Sequence, residues 1–295
     1  MSSHTSVQAP SDPGRLPMTL PLLAEKKRLG EPIVMVTAYD YPSARAAEAA
    51  GVDLVLVGDS AATTVLGYNS TTPVELGDML VLARAARRGL RTPLLIGDMP
   101  FGSYEVSDEQ AISNAMRLVK EAGCEAVKLE GGGPSSVARA RAIVGAGIPV
   151  MGHVGLTPQT ATALGGWKAQ GRTAAAAAQI GTQALALQDA GCFALVFEAI
   201  PAAVTDELMP RIEIPVIGIG AGPATDGQVL VFHDLLGIRD GLGARFVKRY
   251  ANLQDEMNAG VTAFSEDVRS RRYPGPEHTY SIDPSELADL HAQLS

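Results

Sequence analysis

Cysteine is nearly missing from this chain: Cys124 and Cys192 are the only two in 295 residues. That excludes a disulfide framework and a metal–thiolate cluster, and it suits a reducing cytoplasm. Each cysteine follows an Ala-Gly pair just ahead of an apolar stretch, the setting of a buried thiol. Positive charge is also short, with 24 Lys and Arg against 32 Asp and Glu, for a net charge of −8. Nothing in that balance draws the protein to nucleic acid or to an anionic membrane. No apolar run reaches the length of a bilayer span. Residues 1–17 (MSSHTSVQAPSDPGRLP) lack the apolar segment of a signal peptide and are expected to form a disordered tail. A dinucleotide fingerprint is missing too. No G-x-G-x-x-G follows the first expected strand, and Gly218-Ile219-Gly220-Ala221-Gly222 has the wrong spacing for one.

What the chain does have is a repeated unit. Leu54, Val55, Leu56 and Val57 are an unbroken apolar run closed by Gly58, Asp59 and Ser60. A strand apolar on both faces belongs to a parallel sheet covered by helices. Similar runs are expected as strands at 33–39, 93–100, 126–130, 149–154, 193–198 and 215–220, with a last one at 244–249. Helices are expected at 18–29, 43–50, 73–88, 107–122, 135–146, 173–190, 226–236 and 252–270. Three of them end in Ala-Gly, at 50–51, 122–123 and 190–191, where glycine takes the left-handed conformation without a Cβ penalty. Eight parallel strand–helix units fit a (β/α)8 TIM barrel as a single domain over 18–270 better than an open doubly wound sheet. Residues 271–295 read as a C-terminal extension in which Asp283, Pro284 and Glu286 open a short helix.

The strand ends carry the chemistry. They deliver Tyr39 and Asp40, Asp59 and Ser60, Asp98, Lys128 and Glu130, His153, and Glu198. A single Asp at such a position more often caps a helix than serves a site. Four carboxylates and a lysine at five corresponding ends are different, because a barrel converges those ends on one mouth. Gathered there, the carboxylates repel unless a cation sits among them, and without a Cys or His pair a hard ion such as Mg²⁺ or Mn²⁺ suits them best. His153 stands alone and is left outside the metal shell. Lys128 and Glu130, two apart on a strand, point to the same side, into the barrel. Surrounded by carboxylates, Lys128 should keep its charge, which argues against a Schiff-base role. Glu198, set in apolar sequence, suits a proton acceptor. Metal, lysine and base together suggest enolisation of a 2-oxo acid; the electrophile is left open.

Longer stretches narrow the choice. VTAYDYPSA (36–44), VGDS (57–60), GDMPFGSYEVS (97–107), VKLEGG (127–132), GHVGLTPQ (152–159), VFEAIP (196–201), IGIGAG (217–222) and GQVLVFHDLLG (227–237) closely resemble the 3-methyl-2-oxobutanoate (ketopantoate) hydroxymethyltransferase family. The resemblance implies a (β/α)8 barrel assembled as a homodecamer. It implies transfer of a hydroxymethyl group from 5,10-methylenetetrahydrofolate to 3-methyl-2-oxobutanoate, giving 2-dehydropantoate on the way to pantothenate. Carried over by motif, Asp59 and Asp98 are expected as Mg²⁺ ligands, with Glu130 on the metal directly or through water. Asp59, Ser60, Asp98 and Lys128 are expected as oxo-acid contacts and Glu198 as the proton acceptor. The chain departs from the family pattern at Ala61-Ala62-Thr63, where Leu-Gly-Met is usual. The alternative is a Mg²⁺-dependent carbon–carbon lyase acting on a 2-oxo acid, which shares the enolate chemistry but needs no folate.

Overall fold

The computed structural model describes residues 14–239 and 243–295. Most of the tail expected at 1–17 lies outside them. In the part described, Arg15 donates to the Val52 carbonyl and stands 3.9 Å from Asp53.

Eight strands close into a parallel barrel in sequence order: β1 (Ile33–Thr37), β2 (Leu54–Val57), β3 (Leu94–Asp98), β4 (Ala126–Lys128), β5 (Val150–Gly155), β6 (Ala194–Glu198), β7 (Val216–Ile219) and β8 (Gly227–Leu230). Period-two alternation divides their side chains. Met35, Leu54, Leu56, Ile96, Met151 and Ile217 fill the barrel, while Val36, Val55, Leu95, Val127 and Leu195 face the outer layer. That layer is built by α2 (Tyr41–Ala50), α4 (Leu76–Gly89), α5 (Asp108–Ala122), α6 (Pro134–Gly145), α7 (Ala174–Asp189) and α8 (Ala202–Leu208). A further helix, α1 (Leu20–Leu29), plugs the floor with fully buried Leu23, and pairs Lys26 with Asp53 and Lys27 with Asp226.

Helix ends follow local chemistry. Gly51 and Gly123 end α2 and α5 in the left-handed conformation. Ser107 caps α5 by accepting from the Gln110 N–H, and the Gln110 side chain reaches back to accept from the Val106 N–H. Glu75 precedes α4 and does not lie in its first turn; its N–H donates to Asp78. The 61–72 stretch opens with a single helical turn, α3 (Ala61–Thr64), on buried Ala61 and Ala62.

The last strand is the main correction. It is Gly227–Leu230, inside the expected helix 226–236, and only α9 (Phe232–Leu236) is helical there; residues 244–249 form no strand. β8 pairs with both β7 and β1, so its backbone must come close to both neighbours. Gly227 permits this: a Cβ there would lie 2.3 Å from the Ile33 carbonyl oxygen. Past the barrel run α10 (Leu253–Arg269) and α11 (Pro284–Leu294), neither of which buries a single residue. Asp283 caps α11 as expected, accepting from the Ser285 N–H.

Candidate active site

Inward alternation carries the polar strand-end residues to the mouth. Asp98, Lys128, Glu130 and His153 continue the inward-facing rows of β3, β4 and β5, and all are buried. Lys128 stands at the centre. Its ammonium donates to both oxygens of Asp98, at 2.8 and 2.9 Å, and lies 3.8 Å from Glu130. Burial works against the ammonium, but Asp98, Glu130 and Asp59 outweigh it and raise the Lys128 pKa. The charged lysine expected from the sequence is what this arrangement favours.

Asp59 ends the turn after β2. Its N–H donates to Asp98 Oδ2 at 3.2 Å, and its own Oδ2 accepts from Gln159 Nε2 at 2.9 Å. Burial first, then the charges of Asp98 and Glu130, hold the Asp59 carboxyl well above its ordinary range. Asp98 is raised as well, by burial and by Glu130, with Lys128 opposing. The mouth therefore has more negative charge than Lys128 offsets.

Glu130 is turned towards protein partners. One oxygen accepts from the Gln159 N–H at 3.0 Å, and the other faces Lys128 and His153. His153 lies between two carboxylates, with Nδ1 3.5 Å from Glu130 and Nε2 3.3 Å from Glu198. Neither contact has good hydrogen-bond geometry, so the attraction is one of charge. Burial and Lys128 oppose the imidazolium, yet the two glutamates prevail and push His153 up to about 9. The ion-pair partner of Glu198 is thus a histidine from the neighbouring strand. Close approach of the β5 and β6 ends makes the contact possible, since a Cβ on Gly155 would lie 2.2 Å from the Glu198 carbonyl oxygen.

The remaining strand-end residues divide. Ser60 borders the cavity, 2.8 Å from the hydroxyl of buried Tyr39, whose pKa burial pushes up to about 12. Asp40 does not join the site. It caps α2, accepting from the Ser43 N–H at 2.7 Å, as a lone strand-end Asp commonly does. Gln159 and Tyr104 are the residues that sequence reasoning missed. The Tyr104 hydroxyl donates to Gln159 Oε1 at 2.6 Å, which turns the Gln159 amide towards Asp59. Tyr104 sits in a loop and Gln159 in a single 3₁₀ turn, Pro158–Thr160, where no strand or helix period marks an inward-facing position.

Among the described residues no three Asp, Glu, His or Cys side chains form a ready-made metal cluster. Asp59 and Asp98 are two adjoining buried carboxylates, each raised by burial and by the charge of Glu130. That donor set suits a hard ion that keeps some of its waters.

Comparison with known proteins places the chain in a family. The family model described as ketopantoate hydroxymethyltransferase matches residues 17–276. The chain is 49% identical to 3-methyl-2-oxobutanoate hydroxymethyltransferase 1, mitochondrial, of Arabidopsis thaliana, over 94% of this chain and 82% of that one. It is 47% identical to the 3-methyl-2-oxobutanoate hydroxymethyltransferase of Nitratidesulfovibrio vulgaris strain DP4, over 100% and 96%. Among solved structures, phosphonopyruvate hydrolase superposes with a TM-score of 0.57 at 13% identity, covering 94% of this chain and 96% of that one. The structure of 2,3-dimethylmalate lyase, described as a PEP mutase/isocitrate lyase superfamily member, gives 0.56 at 15%, over 94% and 99%. At such low identity these two share the fold. Taken with the family match and its relatives, the mouth described above belongs to an enzyme, and the chain is a member of the ketopantoate hydroxymethyltransferase family.

Proposed function

We propose that this mouth transfers a hydroxymethyl group from 5,10-methylenetetrahydrofolate to 3-methyl-2-oxobutanoate, giving 2-dehydropantoate. The observation that carries the reading is the convergence of Asp59, Asp98, Lys128, Glu130, His153 and Glu198 on one cavity, in a chain of this family. Asp59 and Asp98 would hold Mg²⁺, with Glu130 as a third acidic group, directly or through water. When bound, the ion supplies Lewis-acid stabilisation for negative charge developing on the oxo acid. Lys128 and Ser60 orient the substrate's oxygens. Glu198 accepts the proton from C3, and His153, 3.3 Å away, compensates the glutamate's charge before the transfer. C3 then forms a carbon–carbon bond to the one-carbon unit of the folate, whose bonds to N5 and N10 break; water supplies the hydroxyl oxygen, and tetrahydrofolate leaves with the C3 proton and one proton of water on those nitrogens.

The test follows the C3 proton of 3-methyl-2-oxobutanoate by NMR in D₂O. Exchange should require Mg²⁺, stop with EDTA and vanish in Glu198→Gln, which should still bind the oxo acid. Adding methylenetetrahydrofolate should then yield 2-dehydropantoate. Exchange at the parent rate in Glu198→Gln would remove the base assignment. Cleavage of an oxo acid without folate would put the lyase reading in its place.

The same reading includes a homo-oligomer, a decamer by family resemblance, working in the cytoplasm. Two free, buried cysteines suit that compartment, and among the described residues no helix is long and apolar enough to cross a membrane. Support for association comes from two unpaired surfaces. Val34, on the outer side of β1, is 50% exposed beside a cavity of about 840 Å³ that runs along β1 and β8. On α10, Met257, Val261, Phe264 and Val268 present one exposed apolar face. A second copy of the chain is the occupant we propose for these surfaces.

A further inference from the structure

The groups assigned so far occupy the floor of a cavity of about 1210 Å³. Pockets for drug-sized ligands run roughly 300–1,000 Å³, so a five-carbon acid leaves most of this one unfilled. One wall is the 156–171 segment between β5 and α7. It is stitched twice to the strand end that carries Glu198. The Leu156 N–H donates to the Glu198 carbonyl, and the Gln170 N–H donates to the Ala199 carbonyl, both at 2.9 Å. Ala199 itself is held at a φ of 50°, a conformation that costs a non-glycine residue energy and is sustained by these contacts. Between the two stitches stand Trp167, 60% exposed, and Lys168, also exposed, both lining the cavity. Phe246 and exposed Arg245, beyond β8, line it as well.

A second substrate must present its one-carbon unit to C3, the atom that meets Glu198. The segment anchored to Glu198 and Ala199 is therefore the wall along which that substrate must lie. An exposed indole offers a stacking face for a flat heterocycle, and cations beyond it suit carboxylates. We propose that Trp167 and Lys168 form the folate subsite. Trp167 takes the bicyclic ring, while Lys168 and Arg245 take the carboxylates of the tail. The proposal rests on the transferase reading and adds the place where its donor binds.

Trp167 is the sole tryptophan of the chain, so its fluorescence reports the subsite directly. The full chain, with Mg²⁺ and 3-methyl-2-oxobutanoate present, is titrated with 5-formyltetrahydrofolate, which resembles the donor but cannot transfer. Saturable quenching is expected. In steady-state assays Trp167→Ala should raise the KM for methylenetetrahydrofolate about tenfold, the scale of one lost stacking contact. The KM for the oxo acid should move far less, and Trp167→Phe should recover most of the loss. Lys168→Gln should raise the folate KM several-fold. Unchanged folate KM and unquenched emission, in a parent enzyme that forms product, would overturn the subsite and leave the transferase reading intact. A parent that forms no product with folate would overturn the reading and the subsite together.

Discussion

Asp59 and Lys128 show how the mouth is balanced residue by residue. Lys128 offsets Asp98 directly, whereas Asp59 has Gln159 as its hydrogen-bond partner and two like charges beside it. Replacing Asp59 by Asn keeps an oxygen for Gln159 and removes the repulsion. Asp59→Asn should therefore raise the melting temperature of the metal-free enzyme, by about 2–4 °C for each kcal/mol relieved. The same variant should lose the stabilisation that the parent gains from MgCl₂. Thermal denaturation with and without the ion measures both signs, and a Mg²⁺ response equal to the parent's would take Asp59 off the metal. At this scale the sequence was legible wherever a strand's period fixed the direction of a side chain. Lys128 and Glu130, two apart, point inward together as expected, and Asp98 and His153 follow the same rule. Tyr104 and Gln159 were not legible, because they reach the site from a loop and a single 3₁₀ turn and meet only through tertiary packing. Asp40 was legible in the wrong sense: its strand-end position is real, but the adjacent helix claims its carboxylate.

At the scale of elements, strands with four or more apolar residues and helices with a glycine stop could be read from the chain to within a few residues. β8 could not. Its four residues, GQVL, run straight into α9, and so short a strand has no period to set against a helical one. Joints between elements were also invisible in sequence. Glu48 on α2 accepts from the Arg91 N–H at 2.7 Å, and from the Thr92 N–H and hydroxyl at 3.0 Å each, tying α2 to the turn before β3. Burial alone would raise its pKa, but these hydrogen bonds and the Arg15 charge lower it below the ordinary 4.5. A depressed carboxyl contributes stability above its unfolded value and loses it as pH falls through the folded one. Glu48→Ala should thus cost about 1–3 kcal/mol at neutral pH, since it removes the acceptor of the partly buried Arg91 and Thr92 N–H groups. Urea denaturation should show the gap between parent and variant narrowing below about pH 4. A gap that stays constant with pH would mean that the ionised carboxylate is not what holds the joint.

For the whole molecule, the barrel was legible from eight repeats of one unit, but the C-terminal helices were not legible as elements that bury no residue and expose apolar side chains. α10 has a helical pattern like any other, and sequence alone does not show that its apolar side meets no part of its own barrel. Charging that side with Met257→Glu and Val261→Glu should lower the mass seen by sedimentation while leaving the far-UV circular dichroism intact, because both residues are already exposed. An unchanged mass would place the subunit contacts elsewhere. The closure of the barrel bears on how the chain is made. β1 lies near the start, its second neighbour β8 ends at Leu230, and Lys27 must wait for Asp226, 199 residues later. During synthesis the first strand emerges early and keeps one edge unpaired until nearly four-fifths of the chain exists. Such long-range pairing slows folding and leaves an open edge vulnerable to wrong partners. The interval between ribosome and barrel, more than the finished enzyme, is where this protein is most exposed to aggregation.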